Sequence, residues 1–130
     1  MSEKKLPFQY DDLSEKSIRN YFDQVQKLEV ILKEKIDNLL QMHKQVYIFG
    51  CGAYAMSIIK RYQALLEKIE CFIDNNTAKQ GQYICGKKVL PASEIKNTED
   101  VVVVICSMLN AKDLEEQVTK LVPKCSKVIL

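Results

Sequence analysis

The residues best suited to chemistry lie in one short run, Gly50-Cys51-Gly52-Ala53-Tyr54-Ala55, which reads G-x-G-x-x-A. It follows the apolar stretch Val46-Tyr47-Ile48-Phe49 and opens an amphipathic segment. Glycine at the first position permits a sharp turn. Glycine at the second has no Cβ, so a phosphate can approach the backbone. A small third residue lets the following helix pack close to a sheet. The head of such a helix offers unpaired N–H groups and a partial positive charge to an anion. The expectation is that the bend around residue 50 leaves its amides free for that purpose.

Asp74 follows 24 residues after Gly50, at the end of a second apolar run, Cys71-Phe72-Ile73. An acidic residue near that spacing is suited to accept hydrogen bonds from ribose hydroxyls. Ser107, after Val101 to Cys106, could donate to a phosphate or sugar, and Tyr54 could cover a ligand. Three other patterns carry less. Gly81 to Lys87 imitates a P-loop, but Lys88 stands where Ser or Thr would hold magnesium, and a strand rather than a helix is expected next. Tyr83 and Lys87 are spaced like a tyrosine–lysine pair but fall in a polar loop. His43 precedes the first strand and is read as solvated or capping.

The elements that must position these residues follow from periodicity. From Asp12 to about Met42 the pattern is helical, with Ile18, Val25, Leu32 and Leu39 recurring every seven residues. Asp12 and Glu15 match a capping box. Tyr21, Leu28, Lys35 and Met42 form a second stripe in which Lys35 is a defect. Such a helix is longer than a small domain is wide, so it should overhang, break into a hairpin or pack on another chain. From residue 46 strands and helices alternate: strands at 46–49, 70–74, 88–90, 101–106 and 127–130, helices at 53–68 and 111–121, and a short helix after Pro91. Asn110 is expected to cap the helix at 111. The strand segments are apolar without alternation, as in strands buried on both faces. That pattern implies a parallel sheet with right-handed crossovers, of strand order 3-2-1-4-5. A helical extension (1–45) would precede an α/β domain (46–130).

Composition excludes some classes. The chain has 130 residues, 47% of them hydrophobic, and a formal net charge of +2 from nineteen basic and seventeen acidic side chains. The apolar fraction supports a real core. The near balance of charge argues against a nucleic-acid binder. No apolar run reaches the length of a membrane span, and MSEKKLPFQYDD has no apolar signal core. The five cysteines, at 51, 71, 85, 106 and 125, are odd in number and scattered. They suggest reduced, mostly buried thiols in a cytoplasmic protein rather than disulfides or a zinc site.

The runs VYIFGCGAYA, CFIDNN, Lys79-Gln80-Gly81, Gly86-Lys87-Lys88-Val89 with Pro91, and VVVVICS together resemble the small Rossmann-like nucleotide-binding domains of bacterial surface-polysaccharide enzymes. Domains of this kind accompany sugar acyltransferases, C-methyltransferases and glycosyltransferases. The resemblance covers residues 46 to 130. It implies an α/β, Rossmann-like parallel sheet with an N-terminal helical extension. It also implies a nucleotide or nucleotide-sugar ligand at Gly50, Gly52 and Ala53, with Asp74 near ribose or base. No catalytic residue is assigned. The expectation is a non-catalytic binding module for a nucleotide sugar or NAD. The alternatives are an NAD-dependent oxidoreductase fragment, or an interaction module that forms a homodimer or engages a partner enzyme through helix 13–42.

Overall fold

A computed structural model describes residues 15–130. Asp12, half of the expected capping box, lies outside them. The chain is a mixed α/β protein with a helix at its N-terminal end and a mostly parallel sheet. It divides into two compact units, one ending at Glu34 and the other running from Lys35 to Leu130.

The first helix, α1 (Glu15–Gln41), is continuous, so the helical hairpin does not occur. In the N-terminal unit it exposes Ile18, Tyr21, Phe22, Leu28, Val30 and Ile31. Its last turns belong to the second unit, where Ile36 and Leu39 are buried. The compact unit that holds the sheet thus starts at Lys35, within the helix. Lys35 breaks the apolar stripe for a reason: its Nζ donates to the Ile129 carbonyl at 2.7 Å. Lys68 Nζ donates to the Leu40 carbonyl at 3.1 Å and also to that of Met42, which satisfies carbonyls at the end of α1. No helix among the described residues is long and apolar enough to cross a membrane.

The sheet is built from β1 (Gln45–Phe49), β2 (Ile69–Ile73), β3 (Tyr83–Ile84), β4 (Lys87–Leu90), β5 (Val101–Ile105) and β6 (Ser126–Ile129), in the order β3-β4-β2-β1-β5-β6. The pairs β4/β2, β2/β1, β1/β5 and β5/β6 are parallel, while β3 joins β4 antiparallel. The expected order 3-2-1-4-5 is thus corrected to a six-stranded sheet with an antiparallel edge. The additional strand arises at Cys85 (φ 52°) and Gly86 (φ 78°). Ile84 pairs with Lys87, so these two residues form the whole hairpin loop. Two successive left-handed residues give the loop twist that matches paired strands. Cysteine in the first of these positions hid the turn.

Burial on both faces explains the unalternating strands. Every residue of β5 is at most 1% exposed. Each such valine or isoleucine contributes about 1.5 to 3 kcal/mol of transfer free energy before entropy is subtracted. Tyr47, Phe49, Cys71, Ile73, Val103 and Ile105 form one cluster with Val118 and Val122, residues of α4 (Ala111–Leu121) and its C-terminal cap. Val46, Ile48, Phe72, Val102 and Val104 have the opposite parity, so they face the other side.

The helix expected at 53–68 is two helices, α2 (Ala53–Arg61) and α3 (Gln63–Lys68), parted at Tyr62 (φ −120°, ψ 72°). The Tyr62 amide still donates to Ile58, and its carbonyl accepts from Leu65, so the bend leaves this backbone paired. Pro91 caps a short 3-10 turn (Ala92–Glu94).

Register brings the working residues together. Phe49, the last residue of β1, is level with Ile73 of β2 on one side and Ile105 of β5 on the other. Because these strands are parallel, residues 50–52, 74 and 106–107 all emerge at one end of the sheet, beyond the carboxyl ends of the strands. After β1 the chain moves outward to β2 and β4, then returns on the other side of β1 as β5. Crevices form where strand order reverses in this way.

Candidate functional site

A cleft of about 390 Å³ opens at that end, between the head of α2 and the loop before α4. Gly50, Gly52, Ala53, Tyr54, Asp74 and Ser107 all line it, so the six residues expected from sequence are brought to one place.

The two glycines have different duties. Gly50 has φ +103°, and a Cβ there would stand 2.6 Å from the Cys106 carbonyl oxygen. Its amide donates to Ile73 O at 2.7 Å, extending the β1/β2 ladder. Gly50 is therefore required by the fold. Gly52 has an ordinary φ of −86°, and a Cβ there would meet nothing within 4 Å. The fold leaves open the space that a side chain at 52 would take.

Asp74 is not a free acceptor. Its Oδ2 accepts from the Cys51 thiol at 3.0 Å and the Cys51 amide at 3.3 Å, and its Oδ1 accepts from the Asn76 amide at 2.8 Å. Burial alone would raise its pKa. The hydrogen bonds from Cys51 and Asn76, together with the charge of Lys79, outweigh burial and bring it below the usual carboxylate value. The same arrangement pushes the Cys51 thiol up to about 12, through burial first and then its bond to the carboxylate. Asp74 thus ties the end of β2 to the glycine turn. The amides of Gly50 and Cys51 are both taken by protein acceptors, which corrects the expectation that the bend itself is free.

The amides that remain are one turn further on. Gly52 is the N-cap of α2 and supplies no side-chain cap; the first intrahelical bond runs from the Met56 amide to Gly52 O. The N–H groups of Ala53, Tyr54 and Ala55 therefore head the helix as first-turn donors. Tyr54 is half-buried beside them, its phenol pKa raised by burial and by Cys106.

On the opposite wall, Ser107 Oγ accepts from the Asn110 amide at 3.0 Å. Asn110 occupies the N-cap position of α4, but its side chain makes no capping bond, so the cap expected from Asn110 is replaced by this local turn. Met108 and Leu109 are exposed on the rim. Asn75 exchanges two hydrogen bonds with Gln117 of α4, at 2.9 and 3.1 Å.

Lys79 also lines the cleft and was not singled out from sequence. It falls in a polar stretch without periodicity, and its only signal was membership of the Lys79-Gln80-Gly81 run. The pseudo-P-loop at Gly81–Lys87 leads into a hairpin, with Tyr83 and Lys87 on its two strands, and His43 is exposed in the turn before β1.

These features define an α/β protein whose parallel strands carry a glycine turn, a carboxylate clamp and an open helix head to one cleft. The C2185-like, N-terminal family matches residues 42–129, and the chain belongs to it. No curated protein and no solved structure matches it significantly.

Proposed function

We propose that this chain is a Rossmann-like binding module for a nucleotide or nucleotide sugar, not catalytic on its own, that serves bacterial cell-surface polysaccharide synthesis in the cytoplasm. The observation that carries the binding reading is the uncapped head of α2, which meets the cleft at Gly52, where no protein atom fills the space of a side chain. A phosphate placed there would accept first-turn N–H groups and gain from the helix dipole. The polysaccharide setting rests on the sequence resemblance of residues 46 to 130.

A thermal-shift panel of UDP-sugars, NAD, NADP, CoA and ATP tests this. A ligand at 100 times its dissociation constant adds about 2.7 kcal/mol of stability. A flat response to all of them rejects the proposal.

The NAD-dependent oxidoreductase reading is disfavoured. Its motive was Asp74 as ribose acceptor, and that carboxylate already receives three protein donors. A role in association is compatible with the proposal: Tyr21, Phe22 and Leu28 of α1 are each more than half exposed and suit pairing with a second copy or a partner enzyme. Light scattering on the full chain tests self-pairing, and a monomer at all concentrations rejects it.

A further inference from the structure

We infer that Lys79 is the side chain that reads the charge of the ligand, so that the cleft selects phosphorylated nucleotides by phosphate number. This deepens the binding proposal and rests on it. The argument is one of elimination among the polar side chains around the cleft. The Asp74 carboxylate is occupied by Cys51 and Asn76. Asn75 is locked to Gln117, and Ser107 accepts from Asn110. Tyr54, Asn110 and Lys79 keep side-chain polar groups without a hydrogen bond or ion pair among the described residues, and of these Lys79 alone is charged.

The segment that presents Lys79 is held in place. Its own amide donates to Asn76 O at 3.0 Å, and its carbonyl accepts from the Gln82 amide at 3.2 Å. Asn76 Oδ1 accepts from the Ala78 amide at 3.0 Å, while Gln80 Nε2 donates to Asp74 O at 2.9 Å and Gln82 Nε2 to Ala78 O at 2.9 Å. A second carbonyl, Val89 O, takes the Gly81 amide at 2.8 Å. A polar stretch without a hydrophobic anchor is thus ordered by short bonds around one lysine. The ammonium is close enough for its field to act on Asp74 and Cys51, yet it forms no ion pair with Asp74. Its charge is therefore available to an incoming anion. Fixing the backbone that carries the lysine removes part of the entropy lost on binding, and a charge-assisted bond to phosphate is stronger than a neutral one.

The test is titration calorimetry of the full chain with uridine, UMP and UDP, and with adenosine, AMP and ADP. Wild type, Lys79→Met, Lys79→Arg and the exposed control Lys120→Met are compared. The expected result is tightening with each added phosphate in wild type and in Lys120→Met. Lys79→Met should lose about tenfold or more for the diphosphates and change little for the nucleosides. Lys79→Arg should recover most of the affinity. The free Lys79 variants should melt within a few degrees of wild type, since among the described residues the lysine head forms no hydrogen bond or ion pair and Lys79→Met loses only its longer-range attraction to Asp74. Equal diphosphate affinity in wild type and Lys79→Met would overturn the inference and leave the binding proposal intact. An equal loss in Lys120→Met would overturn it as well, because overall charge would then suffice. Wild type that binds none of the six compounds would overturn the inference, and a flat thermal-shift panel beside it would reject the binding proposal too.

Discussion

The contrast between Gly50 and Gly52 makes the sharpest test of the site. Consider alanine at each. At Gly50 the new Cβ would sit 2.6 Å from the Cys106 carbonyl oxygen, where real Cβ atoms essentially never come within 3.0 Å. That carbonyl cannot withdraw easily, because the Cys106 amide is bonded to Phe49 O at 2.9 Å. Relief requires parting the ends of β1 and β5. Backbone strain at φ +103° adds about 1 to 3 kcal/mol, and overpacking contributes about 1 to 3 kcal/mol more. A total of about 4 kcal/mol corresponds to a fall in Tm of about 16 °C or more in a body of this size. At Gly52 the new methyl enters open space at an ordinary φ. Lower entropy in the unfolded chain stabilises the variant by about 0.4 to 1 kcal/mol. Alanine's weakness as an N-cap offsets this by a similar amount, about 0.5 to 1 kcal/mol. Gly52→Ala should therefore melt within a few degrees of wild type. Gly52→Val should also fold, yet lose the nucleotide-induced shift, because its branches occupy phosphate space. Differential scanning fluorimetry with and without UDP measures all of this. A Gly50→Ala protein as stable as wild type would refute the strain argument. A collapse of Gly52→Val without ligand would refute the claim that position 52 is spared by the fold.

Three further outcomes are expected. Asp74→Asn should lower stability at neutral pH by about 1 to 3 kcal/mol, since one of the two oxygens becomes an NH₂, which cannot receive the donors on that side, either the Cys51 thiol and amide or the Asn76 amide. Because the folded pKa of Asp74 lies below the reference value of 3.8, its ionised form stabilises the fold above that pH. The advantage of wild type should therefore be full above about pH 5 and shrink as pH falls through the folded pKa, which urea melts across pH can follow. Cys85 is exposed, whereas Cys51, Cys71, Cys106 and Cys125 are buried, and burial pushes Cys51 and Cys106 up to about 12 and Cys71 to about 11. Brief iodoacetamide treatment at pH 8 followed by peptide mass spectrometry should label Cys85 first, and rapid labelling of Cys51 in the native protein would contradict the clamp. A chain starting at Lys35 should retain most of the thermal stability of the second unit. One starting at Lys44 should lose several kcal/mol, because Ile36 and Leu39 are buried and their removal opens a cavity.

What the amino-acid order determined by itself was the local frame. Apolar runs such as Val101 to Ile105, flanked by turn residues, specify strands buried on both faces, and the period change near residue 45 marks where the long helix stops. The glycine turn was legible because its requirement lies within six consecutive residues. The antiparallel edge strand was not, since its hairpin depends on Cys85 taking a left-handed conformation that cysteine rarely adopts. Tertiary structure alone decided what the polar residues do. Asp74 had a plausible spacing for a ribose acceptor, but the register of β1 against β2 puts Cys51 beside it, and a carboxylate facing a nearby thiol and amides is consumed by them. Lys35 looked like a flaw in an apolar stripe until the end of β6 supplied a carbonyl for it. Lys79 had no pattern to betray it, because its position depends on hydrogen bonds among turns rather than on any repeat. Periodicity records which face of an element avoids water; the partners of a donor or a charge are fixed only when distant segments have come together.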